Sequence, residues 1–216
     1  MVSSPRLAWL VLRRELAVEA ATRETLVSVA PFVAALVLLA GLAFGPRPAV
    51  LTATGPGLVW LIVLVAAVPL APGVAVAEQQ DDAWDLLRSL TSPSTLLAGK
   101  VAAVWLWLLG SWGLATVLAV ALFGAGATAT GVAGGLVGTL GVAAVTVLLG
   151  TLLPAVTRRP GLLAVLLLPA TLPTLVAGTQ TATGGVPAAP WLGLLTVFDL
   201  LTLTVAWAVF PALLED

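Results

Sequence analysis

Apolar residues run through this chain in long blocks rather than with the two- or three-to-four-residue alternation of a half-buried strand or helix. Six blocks, 26–44, 55–77, 101–123, 130–153, 161–178 and 191–212, approach the roughly 20 residues a helix needs to cross the hydrocarbon core of a bilayer. They predict an all-α integral membrane protein with a single six-helix transmembrane domain. The connecting loops are short except for one polar insert at 78–100. Pro169 and Pro173, four apart in the fifth block, predict a kink or a partly re-entrant path, and Pro69 and Pro72 predict a similar break late in the second. Residues 1–25 are studded with charges and have no uninterrupted apolar core before a small-residue cleavage site. They predict a retained cytoplasmic helix rather than a signal peptide.

Basic residues orient the bundle, because they concentrate on the cytoplasmic side. With six spans and the N-terminus inside, Arg6, Arg13, Arg14, Arg23, Arg88, Lys100, Arg158 and Arg159 fall in the cytoplasm and only Arg47 falls outside. The inverted arrangement would misplace all eight.

Composition narrows the chemistry. Hydrophobic residues make up 60% of the chain and charged residues 9%, against about 25% charged in a soluble domain. The net charge of −1 does not suggest a nucleic-acid partner. Cys and His are absent and the one Met is Met1, which removes the usual ligands of haem and transition metals and all His-based catalysis. The run Ala98-Gly99-Lys100-Val101 lacks the earlier Gly and the following Ser/Thr of a phosphate loop. No catalytic or metal-binding residue is therefore expected, and any ATP is expected on another chain.

Three regions remain as candidates. The insert reads Glu78-Gln79-Gln80-Asp81-Asp82-Ala83-Trp84-Asp85-Leu86-Leu87-Arg88. Asp81 suits a helix N-cap, with Asp82 and Asp85 in the first turn, and Pro93 bounds that helix near Thr91 or Ser92. Asp81, Asp85 and Arg88 share one face; Trp84, Leu87 and Leu90 lie on another. Surface helices on lipid favour Lys and Arg on the polar face, so this acidic one fits a protein partner better than anionic lipid. The N-terminal helix carries Arg14, Glu15, Arg23 and Glu24 around a narrow apolar strip, with Glu19 and Arg23 spaced as an i,i+4 pair. Asp199 is the one acid deep in a span. It costs about 2.5–3.5 kcal/mol there and is expected to face the bundle, as a structural carboxyl bonded to Thr196, Thr202 or backbone. Gly131, Gly134, Gly135, Gly138 and Gly141 predict close helix packing within the bundle; the same four-residue spacings would also suit a dimer face.

Motifs in order along the chain resemble the CcmB family, the membrane subunits of the haem-exporter-type ABC complex of cytochrome c maturation. They are Arg14-Glu15-Leu16, Thr22-Arg23-Glu24, Pro56-Gly57-Leu58-Val59-Trp60, the acidic insert with Glu78, Asp81, Ala83 and Asp85, Ser92-Pro93, Gly99-Lys100 and Gly138-Thr139-Leu140-Gly141 onward through Arg158. Leu166-Leu167-Leu168-Pro169 with Pro173, Trp191-Leu192, Phe198-Asp199 and the closing Leu214-Glu215-Asp216 complete the likeness. The resemblance implies a six-helix ABC-exporter membrane domain in the bacterial cytoplasmic (inner) membrane. It implies a partner ATPase, CcmA, association with CcmC and CcmD, and indirect work on the haem chaperone CcmE, whose haem-loaded form the complex releases from CcmC. This role has long been described as haem export. It also implies no cofactor on this chain, with ATP and haem held by partners, and the insert as the coupling helix that docks on the ATPase. A second copy of the chain and membrane lipid are the remaining expected partners. The rival readings are a generic ABC exporter subunit for a drug or lipid, and a secondary transporter, which would want internal repeats and midplane carboxylates.

Cysteines introduced at Thr52 and Thr183 should react with an impermeant thiol reagent in intact cells, and cysteines at Ser3 and Thr157 only after permeabilisation. Equal labelling of all four in intact cells would exclude the six-span, N-inside arrangement.

Overall fold

A computed structural model describes residues 9–10, 12–13, 24–79, 92–156 and 160–213. Trp9, Leu10, Leu12 and Arg13 are helical, and six longer helices follow. These are α1 (Glu24–Phe44), α2 (Pro48–Gln79), α3 (Pro93–Phe123), α4 (Ala129–Val156), α5 (Pro160–Ala182) and α6 (Ala189–Leu213), and no strand occurs among the described residues. Helices α2 to α6 are each long and apolar enough to cross a membrane. Helix α1 contributes a shorter apolar stretch, Ala30–Phe44.

Local chemistry sets the helix ends. Ser92 has extended backbone, and its hydroxyl accepts from Thr95 N–H at 3.4 Å. Pro93 occupies the first turn, where its missing N–H costs nothing. This pair starts α3 eight residues ahead of the apolar block at 101, so Lys100 lies two turns inside a helix. At its other end Gly124 takes the left-handed conformation, φ 65°, and donates to Val120 O; Gly45 closes α1 in the same conformation.

Neither proline pair interrupts its helix, so the partly re-entrant path expected as one alternative for the fifth block is not taken. Helix α2 runs on through Pro69 and Pro72, and α5 through Pro169 and Pro173. A proline deletes one ladder bond, whereas unwinding in lipid would strand several backbone groups. Thr171 beside the α5 prolines donates to Leu167 O at 2.8 Å.

Helix α4 is the centre of the bundle, with 61% of its apolar window buried against 22% for α6, and it packs on α2, α3, α5 and α6. Its glycines explain how. A methyl group at Gly134 would overlap Thr181 of α5, one at Gly135 the Trp112 ring of α3, and one at Gly138 the Trp60 ring of α2. Lower down, Gly150 meets the Ala71 carbonyl of α2. The glycine stripe therefore serves packing within the chain, since lipid supplies no hydrophobic drive and close contact must hold the helices together. Trp105 pins α3 to α4 by donating to Leu136 O and Thr139 Oγ1, both at 3.1 Å. Helix α1 lies at the edge, where Val33 and Val37 meet Ala115, Ala119 and Phe123 of α3 and Val59 and Ile62 of α2. Large apolar side chains such as Leu42, Val117, Val165, Leu200 and Trp207 point outward, as the lipid-facing surface of such a bundle requires.

Gly135→Ala should lower the thermal midpoint of the detergent-purified protein by an amount equivalent to about 1–3 kcal/mol, as overpacking does. Gly110→Ala, where a methyl meets nothing within 4 Å, should leave it unchanged or raise it. Equal effects from the two would remove the packing role of Gly135.

Candidate functional site

Of the residues singled out by sequence, Asp199 is the one whose side chain is described. It lies ten residues into α6, about 15 Å along a helix and hence near mid-membrane, and is 5% exposed. Its Oδ1 rests against Gly141 of α4, and no side chain larger than hydrogen would fit there. The glycine and the acid are thus complementary partners across the α4–α6 contact.

The hydrogen bonds differ from expectation. Neither carboxyl oxygen of Asp199 has a hydrogen-bond partner. Thr196 donates to Leu192 O at 2.9 Å, and Thr202 donates to Phe198 O at 3.0 Å and Asp199 O at 3.1 Å. Both hydroxyls expected to serve the acid are taken by carbonyls of their own helix, an acceptor always in reach of a helical Thr. The bonds expected from Thr196 and Thr202 to the Asp199 carboxyl are therefore not made.

The helices of the bundle also bury threonines: Thr139 and Thr146 of α4, Thr171, Thr174 and Thr181 of α5, and Thr202 of α6. Most are satisfied locally, as with Thr146 to Val142 O at 2.7 Å and Thr139 to Gly135 O at 2.6 Å; Thr174 Oγ1, like the acid, has no partner. The three helices packed on α6 are α3, α4 and α5, and Lys100 is their one charged residue. Lys100 is 1% exposed, and its ammonium does not bond the orphan carboxyl. The polar insert 78–100 predicts Lys100 outside the membrane helices, whereas it lies within α3. The Ser92-Pro93 cap and first-turn proline were the signal that it belongs to a helix interior.

Asp81, Asp82, Trp84, Asp85, Leu87 and Arg88 of the insert lie outside the described residues, as do Arg14, Glu15 and Arg23. Glu78 falls in the last turn of α2, and Glu24 opens α1. Among the described residues no three His, Cys, Asp or Glu side chains converge as a metal site would require.

The family profile described as CcmB protein matches residues 6–215. No curated protein matches the chain.

Two buried acceptors without donors add no stability, so Asp199→Asn, which keeps the shape and supplies an amide donor, should insert normally. Its thermal midpoint should equal or exceed that of the wild type, since an unsatisfied group costs about 1–3 kcal/mol. A clear fall would show that the carboxyl holds α6 to α4.

Proposed function

Since the chain belongs to the CcmB family, we propose that it is the membrane subunit of an ABC-type complex that couples ATP hydrolysis on a separate ATPase to release of the haem-loaded chaperone. The family itself is a membrane component of the haem-exporter, cytochrome c maturation system. The chain is a multi-pass helical membrane protein of a transporter-subunit family, not a hydrolase. The observation that carries the proposal is the family match over essentially the whole length, 6–215, joined to a bundle of membrane-length helices.

In this reading CcmA binds ATP, CcmC and CcmD complete the complex, and CcmE is its client. The chain sits in the bacterial inner membrane with its N-terminus in the cytoplasm, and α1 makes the first of six spans; its 21 residues reach about 31 Å, the thickness of the hydrocarbon core. Nucleotide and haem are held by partners, and a second copy of the chain completes the membrane unit.

Residues 78–90 serve as the coupling segment, of which Glu78 and Gln79 close α2 and the rest lies outside the described residues. Helix α2 ends at Gln79 and α3 begins at Pro93, so the short segment joins two membrane-length rods, both of which pack on α4. A push on the segment would be delivered to the centre of the bundle. Trp84 supplies an aromatic anchor of the kind that dominates interface energies, and Asp81, Asp82 and Asp85 supply charge for steering toward a basic groove on the ATPase.

Trp84→Ala should cost about 2 kcal/mol or more of association with the ATPase, and charge reversal at Asp81 and Asp85 should slow association and sharpen its salt dependence. Both variants should reach the membrane yet fail in cytochrome c maturation. Co-purification with the ATPase at wild-type yield and intact maturation in both would refute the docking role, leaving the N-terminal helix with Arg14, Glu15, Arg23 and Glu24 as the next contact to test.

A further inference from the structure

The two carboxyl oxygens of Asp199 lack a donor, and few groups around the α4–α6 contact could supply one. Helices α4 and α5 carry no charged residue and no serine, so the donors they offer from hydroxyls are those of threonine. Thr174 of α5 is the exception among them. It is fully buried and its hydroxyl bonds nothing, although a helical threonine has the carbonyl one turn back within reach. Every other threonine of α4, α5 and α6 donates, and all of those but Thr130 donate to a carbonyl of their own helix. These three helices thus hold one buried hydroxyl without an acceptor and one buried carboxyl without a donor.

Both groups are seated on the same face of α4. A methyl group at Gly138 would stand 3.1 Å from Thr174 Cγ2, and one at Gly141 would overlap Asp199 Oδ1. Positions three apart on a helix lie about 5–6 Å from each other on one face. Helices α5 and α6 pack on each other as well as on α4, so the hydroxyl and the acid meet neighbouring positions of one helix from two adjacent ones. Both seats are glycines, and neither raises a side chain against an approach. Two further features favour movement here. Helix α6 is the least buried of the five membrane-length helices. Pro173, beside Thr174, has no N–H for the Pro169 carbonyl, so the α5 ladder lacks a bond at this level.

We propose that Thr174 and Asp199 are the two halves of a hydrogen bond made in a second arrangement of the bundle, in which α6 shifts across the glycine face of α4 until the Asp199 carboxyl accepts from Thr174 Oγ1. Leaving a buried donor and a buried acceptor unmade is costly, and this bond would satisfy both at once. The shift it needs is within the range of helix movements at packed interfaces, from about 1–2 Å up to one turn of about 5.4 Å. The inference rests on the two side chains and their glycine seats, and it stands apart from the docking role of the 78–90 segment.

The chain has no cysteine, so Thr174→Cys with Asp199→Cys allows a single disulfide, which requires Cβ atoms about 3.5–4.5 Å apart. In native membranes under mild oxidant this pair should close into an intrachain disulfide, mapped by mass spectrometry. Thr181→Cys with Asp199→Cys should keep its free thiols, because Thr181 is seated on Gly134, about two turns of α4 from Gly141. The bond itself is read by infrared difference spectroscopy on the full chain in nanodiscs. The Asp199 carboxyl band, identified as the one lost in Asp199→Asn, should contain a hydrogen-bonded component. Thr174→Val should remove that component, and Thr174→Ser, which keeps the hydroxyl, should retain it. Free thiols at 174 and 199 in the folded protein, or a disulfide no faster than that of the Thr181 pair, overturns the proposal. So does a carboxyl band that stays hydrogen-bonded in Thr174→Val, since another donor, such as a buried water, then serves the acid.

Discussion

The bundle depends on one permission: neighbouring helices can approach the backbone of α4. Within a bilayer the solvent is as apolar as the side chains, so burial alone does not draw helices together and contact must be close to matter. The glycines of α4 grant that contact in several directions, to a threonine of α5, to indoles of α3 and α2, to a carboxyl of α6 and to a carbonyl of α2. Every helix except the peripheral α1 is placed by one of these meetings. The backbone of α4 is in effect a surface on which side chains from its neighbours are seated.

The same constraint accounts for the treatment of polar groups. Threonine hydroxyls return to carbonyls of their own helices, and the proline-containing helices stay continuous, because lipid offers no alternative partner. Asp199 stands apart from this economy. It occupies a site shaped to admit it, yet nothing bonds it. An acid at so costly a depth, seated on a glycine and without a donor, is a candidate for function.

Much of this was legible in the chain itself. The apolar blocks announced membrane helices because lipid tolerates few interruptions, and the ordered motifs pointed to the family that the full-length match shows. Helix ends were less legible. The 101–123 block marks where hydropathy rises, whereas the helix starts where Ser92 and Pro93 satisfy its first turn. Local capping and hydropathy are different signals, and only capping marks where a helix begins. The direction of each glycine was not legible either. Spacing says that Gly134, Gly135, Gly138 and Gly141 lie near one another, but which neighbour each receives depends on how the helices are arranged around α4. The bonds of Thr196 and Thr202 differ from expectation for a local reason: a helical Thr always has the carbonyl one turn back within reach.

The early start of α3 has a mechanical meaning. Its 31 residues make a rod of about 46 Å, while only about 30 Å of it can be wrapped in hydrocarbon. Its early turns are part of the same rigid packing, with Leu96, Leu97 and Val101 in the core cluster, and Trp105 fastens it to α4. A rod of that length tilted by about 5° about one end carries the other through about 4 Å, roughly three-quarters of a helical turn. The proline that seemed to close a surface element instead lengthens a lever, and the leverage comes from helix rise alone, with no hinge required.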